Sequence, residues 1–254
     1  MPDRVKPHIY NIAAHGGFAD ALAQGLIDRF GGDIFGLARL LIILPNNRAR
    51  KAVQDAFVRL SEDGLLLPQM AVIGDLDLDE SVGVALDSGE LALDIAPAIE
   101  PLDRILMLAQ MIEQHSKARG EPVLAKDALR LAREFARTLD QLTVEEIELR
   151  ELLDMDVEPH LSDHWQNSLS FFRVIAEKWH KKLQSLGYSE QASRRNRLFD
   201  TLSHLWSNAA PERTIIAAGI TTAAPAIARF LRTIAFLPDG MVVFPNLDLV
   251  MPDE

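Results

Sequence analysis

Arg39-Leu40-Leu41-Ile42-Ile43-Leu44-Pro45-Asn46-Asn47-Arg48-Ala49-Arg50-Lys51 changes character at Pro45, and that change decides the fold class. The unbroken apolar run Leu40 to Leu44 suits a strand buried on both faces, as in a parallel sheet between helix layers. Beyond Pro45 the spacing is helical. Asn46 or Asn47 can cap a helix over Arg48 to Leu60, in which Ala49, Ala52, Val53, Ala56, Phe57 and Leu60 recur at intervals of three and four. Arg48, Arg50, Lys51 and Arg59 lie in the same helix with only Asp55 against them. Strand, polar turn and basic helix together make a binding edge at the carboxyl ends of a parallel sheet. The same charges also suit a plain solvated helix face.

Toward the amino terminus, His8 to Ile12 reads as a first strand and Phe18 to Phe30 as a helix with Ala19, Leu22, Ala23, Leu26 and Phe30 on one side. Between them, Ala13-Ala14-His15-Gly16-Gly17 supplies the parts of a phosphate cradle: a strand end, a glycine turn and a helix amino terminus. The side chains that would complete it are missing. A Walker A loop needs Gly-Lys-Ser/Thr, the lysine to reach the outer phosphates and the hydroxyl to hold magnesium, and those places carry Gly17-Phe18-Ala19. No Gly-x-Gly-x-x-Gly fingerprint occurs either. His15-Gly16-Gly17 is also like the oxyanion turn of esterases, but the nearest nucleophile elbow, Gly187-Tyr188-Ser189-Glu190-Gln191, lacks its last glycine.

A third strand is expected around Gln69 to Ile73. Gly74 to Glu80 then alternates acids as a calcium loop begins, but Glu80 and Leu86 stand where that loop needs Gly and Glu, so a solvated acidic loop is preferred. Ser81 to Pro101 reads as a linker. From there to about Asn208 the pattern is helical: Leu102 to Ile112, Leu124 to Leu142, a short helix over Glu145 to Leu153, and a seam of Trp165, Leu169, Phe172, Ala176, Trp179, Leu183 and Leu186. Two tryptophans on one stripe point to core packing rather than a stacking platform for bases. Ser189 to Trp206 is the last of these helices and opens with a second basic cluster, Arg194, Arg195 and Arg197. His160 and His164 have a metal-like spacing, without the glutamate of a zincin helix.

Arg213 to Ala218 returns to a buried strand, Pro225 to Leu237 to a helix, and Met241 to Phe244 to a fifth strand. Strand and helix thus alternate on both sides of a helical block. This predicts an α/β fold, a Rossmann-like parallel sheet formed by residues 1–96 and 209–254, with residues 97–208 as a large all-helical insertion. The apolar end, Pro245 to Glu254, suggests a piece of a longer protein.

The charge balance, 26 Lys and Arg against 37 Asp and Glu for a net −11 in 254 residues, repels phosphate overall and confines nucleic-acid contact to local patches. The absence of cysteine excludes disulfides, thiolate catalysis and Cys-held metal within the chain, and a reducing cytoplasm fits it. Met1 to His8 has no signal core and no run of about 18 apolar residues occurs, so an intracellular, cytoplasmic protein with no membrane contact is expected.

Three segments together resemble the amino-terminal part of the alphaproteobacterial AddB family, the double-strand-break repair subunits of AddAB helicase–nucleases. They are Tyr10-Asn11-Ile12-Ala13-Ala14 through Gly25-Leu26, Ala38 through Phe57, and Ile215-Ile216-Ala217-Ala218-Gly219-Ile220-Thr221 through Pro225; His164 to Phe172 is similar too. The resemblance implies a P-loop NTPase/helicase-like fold, the first motor domain of a superfamily 1 helicase that has lost its ATPase residues. His15, Gly16 and Gly17 then belong to a vestigial phosphate loop, with no catalytic residue, metal or cofactor in this chain. Pro45 to Lys51 takes the position of the motif that touches single-stranded DNA in active relatives, which makes Asn46, Asn47, Arg48, Arg50 and Lys51 the DNA-binding candidates. The partners implied are an AddA-type helicase–nuclease subunit and DNA, as a single strand or a broken duplex end. An active nucleotide-hydrolysing domain with an irregular loop, and a protein-interaction scaffold without DNA contact, are the alternatives.

Overall fold

The structure is a computed structural model describing residues 6–61, 64–73, 95–148, 151 and 162–247; for Ala14 and residues 162–167 only the backbone is described. Contacts divide the chain into two compact units, residues 1–94 with 198–254, and residues 95–197.

The first unit is built on five parallel strands: β1 (Ile9–Ile12), β2 (Leu41–Leu44), β3 (Gln69–Val72), β4 (Ile215–Ala218) and β5 (Gly240–Pro245). Their order across the sheet is β1-β5-β4-β2-β3. Every residue of β2 is buried, as the apolar run requires of a strand flanked on both sides, here by Gln69 and Ile215 opposite Leu41. Helices α1 (Phe18–Phe30), α2 (Asn47–Leu60) and α7 (Pro225–Phe236) connect the strands.

Alternation along each strand assigns the two faces. Ile42, Leu44, Ile216, Ala218, Met241 and Val243 form one core with Leu22, Ala23 and Leu26 of α1 and Val53, Ala56 and Phe57 of α2. Val242 and Phe244 face the other way and line a groove with Leu231 and Ala235 of α7. Connections run from β2 toward β3 and from β4 back toward β5, in opposite directions on opposite faces. The direction of winding therefore reverses between β4 and β2, where an open α/β sheet has its crevice.

The expected elements of this unit are present with small shifts at their ends. On α2 the apolar stripe is narrower than its spacing indicated: Ala52 is exposed and Leu60 is 37% exposed, because the helix runs past the edge of the core.

The second unit contains α3 (Pro101–Ala118), α4 (Ala125–Val144), α5 (Ser162–Leu186) and the start of α6 (Gln191–Asn208). Its core joins Leu108 and Ile112 of α3, Ala128, Ala132, Phe135 and Ala136 of α4, and Ile175, Trp179 and Leu183 of α5. Trp179 is buried, in keeping with core packing, and its Nε1 donates to Glu190. Of the expected seam, Leu186 is exposed and Ile175 is buried in its stead, while the side chain of Trp165 lies outside the described residues. Residues 145–148 form a turn with Glu146 at φ 54 rather than the start of a helix, and most of the remaining expected helix is outside the described residues.

A polar cluster ties these helices together. Arg104 of α3 holds Asp140 of α4 through two hydrogen bonds of 2.8 and 2.9 Å, and its Nε stands 2.9 Å from Glu190 Oε2 without hydrogen-bond alignment. Burial pushes the Glu190 carboxyl above the usual carboxylate range, against the pull of Arg104 and Trp179.

The basic cluster at the start of α6 is not one solvent-facing patch. Arg194 is buried and donates to the carbonyls of Ile95 at 2.6 Å and Ala96 at 2.9 Å, closing the entry of the chain into this unit. Arg195 is half-buried, and burial lowers its pKa against the pull of Asp140. From Leu198 onward α6 belongs to the first unit, although the helical pattern ran unbroken to Asn208. Leu198, Phe199, Leu202 and Trp206 are buried there, with the rings of Phe199 and Trp206 at 5.1 and 5.3 Å from Phe230 of α7.

Candidate nucleic-acid interface

Parallel strands deliver their following loops to one edge of the sheet. Here that edge carries the turn after β1 (residues 13–17), the turn after β2 (residues 45–46) and the loop after β4 (residues 219–224). The second and third flank the point where the winding reverses.

The turn after β2 is formed by its own sequence. Asn46 is extended, with φ −163, and its Oδ1 accepts a hydrogen bond of 2.9 Å from the Ala49 N–H, satisfying one free donor of the helix amino terminus. The resulting first turns of α2 project Arg48, Arg50 and Lys51, and all five candidates, Asn46, Asn47, Arg48, Arg50 and Lys51, are exposed. Lys51 makes a surface contact of 3.5 Å with Asp55. Among the described residues no ion pair or side-chain hydrogen bond engages Arg48 or Arg50. The first turn contains no acid. Cations at a helix amino terminus oppose the macrodipole, at roughly 0.3–1 kcal/mol each, so this arrangement costs the isolated helix stability.

The turn after β1 has a different chemistry. A short 3-10 turn over Ala14–Gly16 is closed by the Gly16 N–H on the Ala13 carbonyl at 3.1 Å, and Gly17 at φ 54 enters α1. His15, Gly16 and Gly17 are exposed. The next residue, Phe18, turns inward. Its ring packs on the core below α1 and against Gly219 in the loop after β4; a Cβ built on Gly219 would lie 3.1 Å from Phe18 Cε1. Asp20, in the first turn of α1, has its Oδ2 3.7 Å from where a Gly17 Cβ would stand, and its other oxygen pairs with Arg59 of α2. An aromatic ring and a carboxylate thus occupy the helix entrance, where a phosphate would need an ammonium and a hydroxyl. Measured back from Gly17, the first glycine of a Walker A spacing falls on Ile12 in β1.

Both Phe18 as a packing residue and Gly219 as its partner escaped the sequence reading, since nothing local links positions 201 residues apart. The φ of 71 at Gly219 explains why glycine is placed there.

Among the described residues no group of three His, Asp or Glu side chains converges to hold a metal ion, and His160 and the side chain of His164 lie outside them. The acidic alternation at residues 74–80 lies outside them as well. Among the described residues no helix is long and apolar enough to cross a membrane. In comparisons with protein-family models and with curated proteins, the chain matches none of them.

Proposed function

We propose that the chain is an inactive helicase-like domain of an AddB-type DNA-repair subunit, holding a single strand of DNA at the carboxyl edge of its sheet as part of a complex with an AddA-type partner. The reading rests above all on one observation: Arg48, Arg50 and Lys51 crowd the amino-terminal turns of α2 with no acid in the first turn. A protein of net charge −11 that concentrates cations where they weaken its own helix has a use for them there. Phosphate contacts from the two arginines, with Asn46 and Asn47 beside them, suit strand-tracking without base reading.

Catalysis has no support from the neighbouring loop, whose helix entrance is filled by Phe18 and Asp20. The P-loop ancestry is part of the proposal and fits the five parallel strands and the glycine turn after β1.

Binding of a labelled single-stranded oligonucleotide across a salt series tests it. Replacing Arg48 and Arg50 together by Ala flattens the slope of log affinity against log salt by about 1.4, at roughly 0.7 per released counterion for single strands. An unchanged slope overturns the assignment.

A second reading, a protein-interaction scaffold, is favoured by the apolar groove of about 510 Å³ beside α7, lined by Ile9, Leu231, Phe236 and Phe244. It predicts no oligonucleotide binding at either low or moderate salt.

A further inference from the structure

Helix α4 of the second unit presents four cations, Lys126, Arg130, Arg133 and Arg137, at intervals of four, three and four. At 3.6 residues per turn they fall within an arc of about 60° and extend over about 16 Å of helix. The opposite side of α4 carries Ala128, Ala132, Phe135 and Ala136 into the core, so the cations occupy the line furthest from it. All four are exposed. Asp127 lies 4.0 Å from Arg130 and Glu134 2.9 Å from Arg137, both at the flanks of the line and in water. Among the described residues no ion pair or side-chain hydrogen bond engages Lys126 or Arg133.

Neighbouring cations at these spacings repel one another and weaken the helix. In an acidic chain, a straight row of them matches a rigid polyanion. Two classes of strand are separated by what surrounds the row. Unpaired bases are held by aromatic stacking, and α4 exposes no aromatic side chain, its one ring, Phe135, being buried. A duplex, with its bases already stacked, needs phosphate contacts alone.

We propose that the solvent face of α4 is a sequence-independent binding surface for the phosphate backbone of duplex DNA. This rests on the reading that the protein works on DNA, but on a surface distinct from the turn after β2.

The test uses the full chain and two probes, a blunt duplex and a single-stranded oligonucleotide of the same length, each titrated over a salt series. In the Arg130→Ala/Arg133→Ala/Arg137→Ala variant, exposed arginines are replaced by the best helix former, and circular dichroism checks that the fold is kept. Duplex affinity is expected to lose about 2 to 3 from its salt slope, at ~0.9 per phosphate contact, while single-strand binding keeps its slope. Lysine in place of arginine at the three positions is expected to keep the duplex slope. An unchanged duplex slope, or an equal loss on both probes, overturns the proposal. The Arg48→Ala/Arg50→Ala variant run in parallel separates the two surfaces, because failure there bears on the single-strand reading alone.

Discussion

Phe18 and Gly219 close on each other across the carboxyl edge of the sheet, a Cβ on the glycine being only 3.1 Å from the ring. The contact joins the turn after β1 to the loop after β4, two strands that are not neighbours, and it occupies the entrance of α1 with a hydrocarbon. A side chain at residue 219 has two costs, the φ of 71 and the collision with Phe18. Gly219→Ala is expected to destabilise the protein by about 2 kcal/mol in denaturant unfolding. In a Phe18→Ala background the same change is expected to cost less, by at least about 0.5 kcal/mol, since the collision is gone while the φ remains. Additive effects would mean that the two residues do not interact.

Under the proposed function, the cations of α2 set stability against binding. Arg48→Glu with Arg50→Glu places acids in the amino-terminal turns, where the helix dipole favours them by roughly 0.3–1 kcal/mol each. Thermal unfolding is expected to shift upward while oligonucleotide binding is lost. A lowered midpoint would mean that the arginines serve the fold. Asn46→Ala, by contrast, removes the cap and is expected to cost about 1 kcal/mol.

In the helical unit, Glu190 compensates Arg104 and accepts from Trp179. Glu190→Ala leaves the Arg104 guanidinium with Asp140 as its one carboxylate, beside the Ala136 carbonyl, and a buried indole N–H without an acceptor, and is expected to cost about 3 kcal/mol. Glu190→Gln keeps an acceptor for the indole and is expected to cost less. Urea unfolding of the two variants checks the order, and equal losses would contradict it.

His115 of α3 packs against Phe171 with centroids 5.5 Å apart and the rings tilted by 56°, and its Nε2 is buried without a hydrogen-bond partner. Burial, with Lys178 and Arg119 nearby, holds the imidazole below the usual histidine range. The folded protein therefore takes up the proton later than the unfolded chain, so this contribution is present above about pH 6.5 and is lost as the pH falls through the folded value. His115→Phe is expected to flatten the fall in thermal midpoint between about pH 7 and pH 5. An unaltered fall would show that other groups carry it.

Most of the sheet unit was legible because its signals are local. Phe18 to Phe30 is a helix with the predicted ends, Leu41 to Leu44 is buried throughout, and Asn46, one of the two cap candidates, caps α2, which begins at Asn47. What failed depended on distant partners. Arg194 reads only as one member of a basic cluster because its acceptors, the carbonyls of Ile95 and Ala96, lie about a hundred residues earlier in the chain. The helical pattern through Asn208 gave no sign that Leu198 to Trp206 would pack on Phe230. At the candidate site the five exposed residues could be named from sequence, whereas the closure of the α1 entrance by Phe18 required the loop after β4 to be in place. The row on α4 was readable from its four-three-four spacing and was passed over beneath the apolar pattern of the same helix.

Hydrogen exchange on the full chain, with a single-stranded oligonucleotide and separately with magnesium and ATP, tests most directly whether the domain holds a strand and has lost its nucleotide. The expected result is slowed exchange over residues 46–51 with the oligonucleotide and no change over residues 13–20 with the nucleotide. Protection of residues 13–20 by ATP, or none of residues 46–51 by the oligonucleotide, would contradict it.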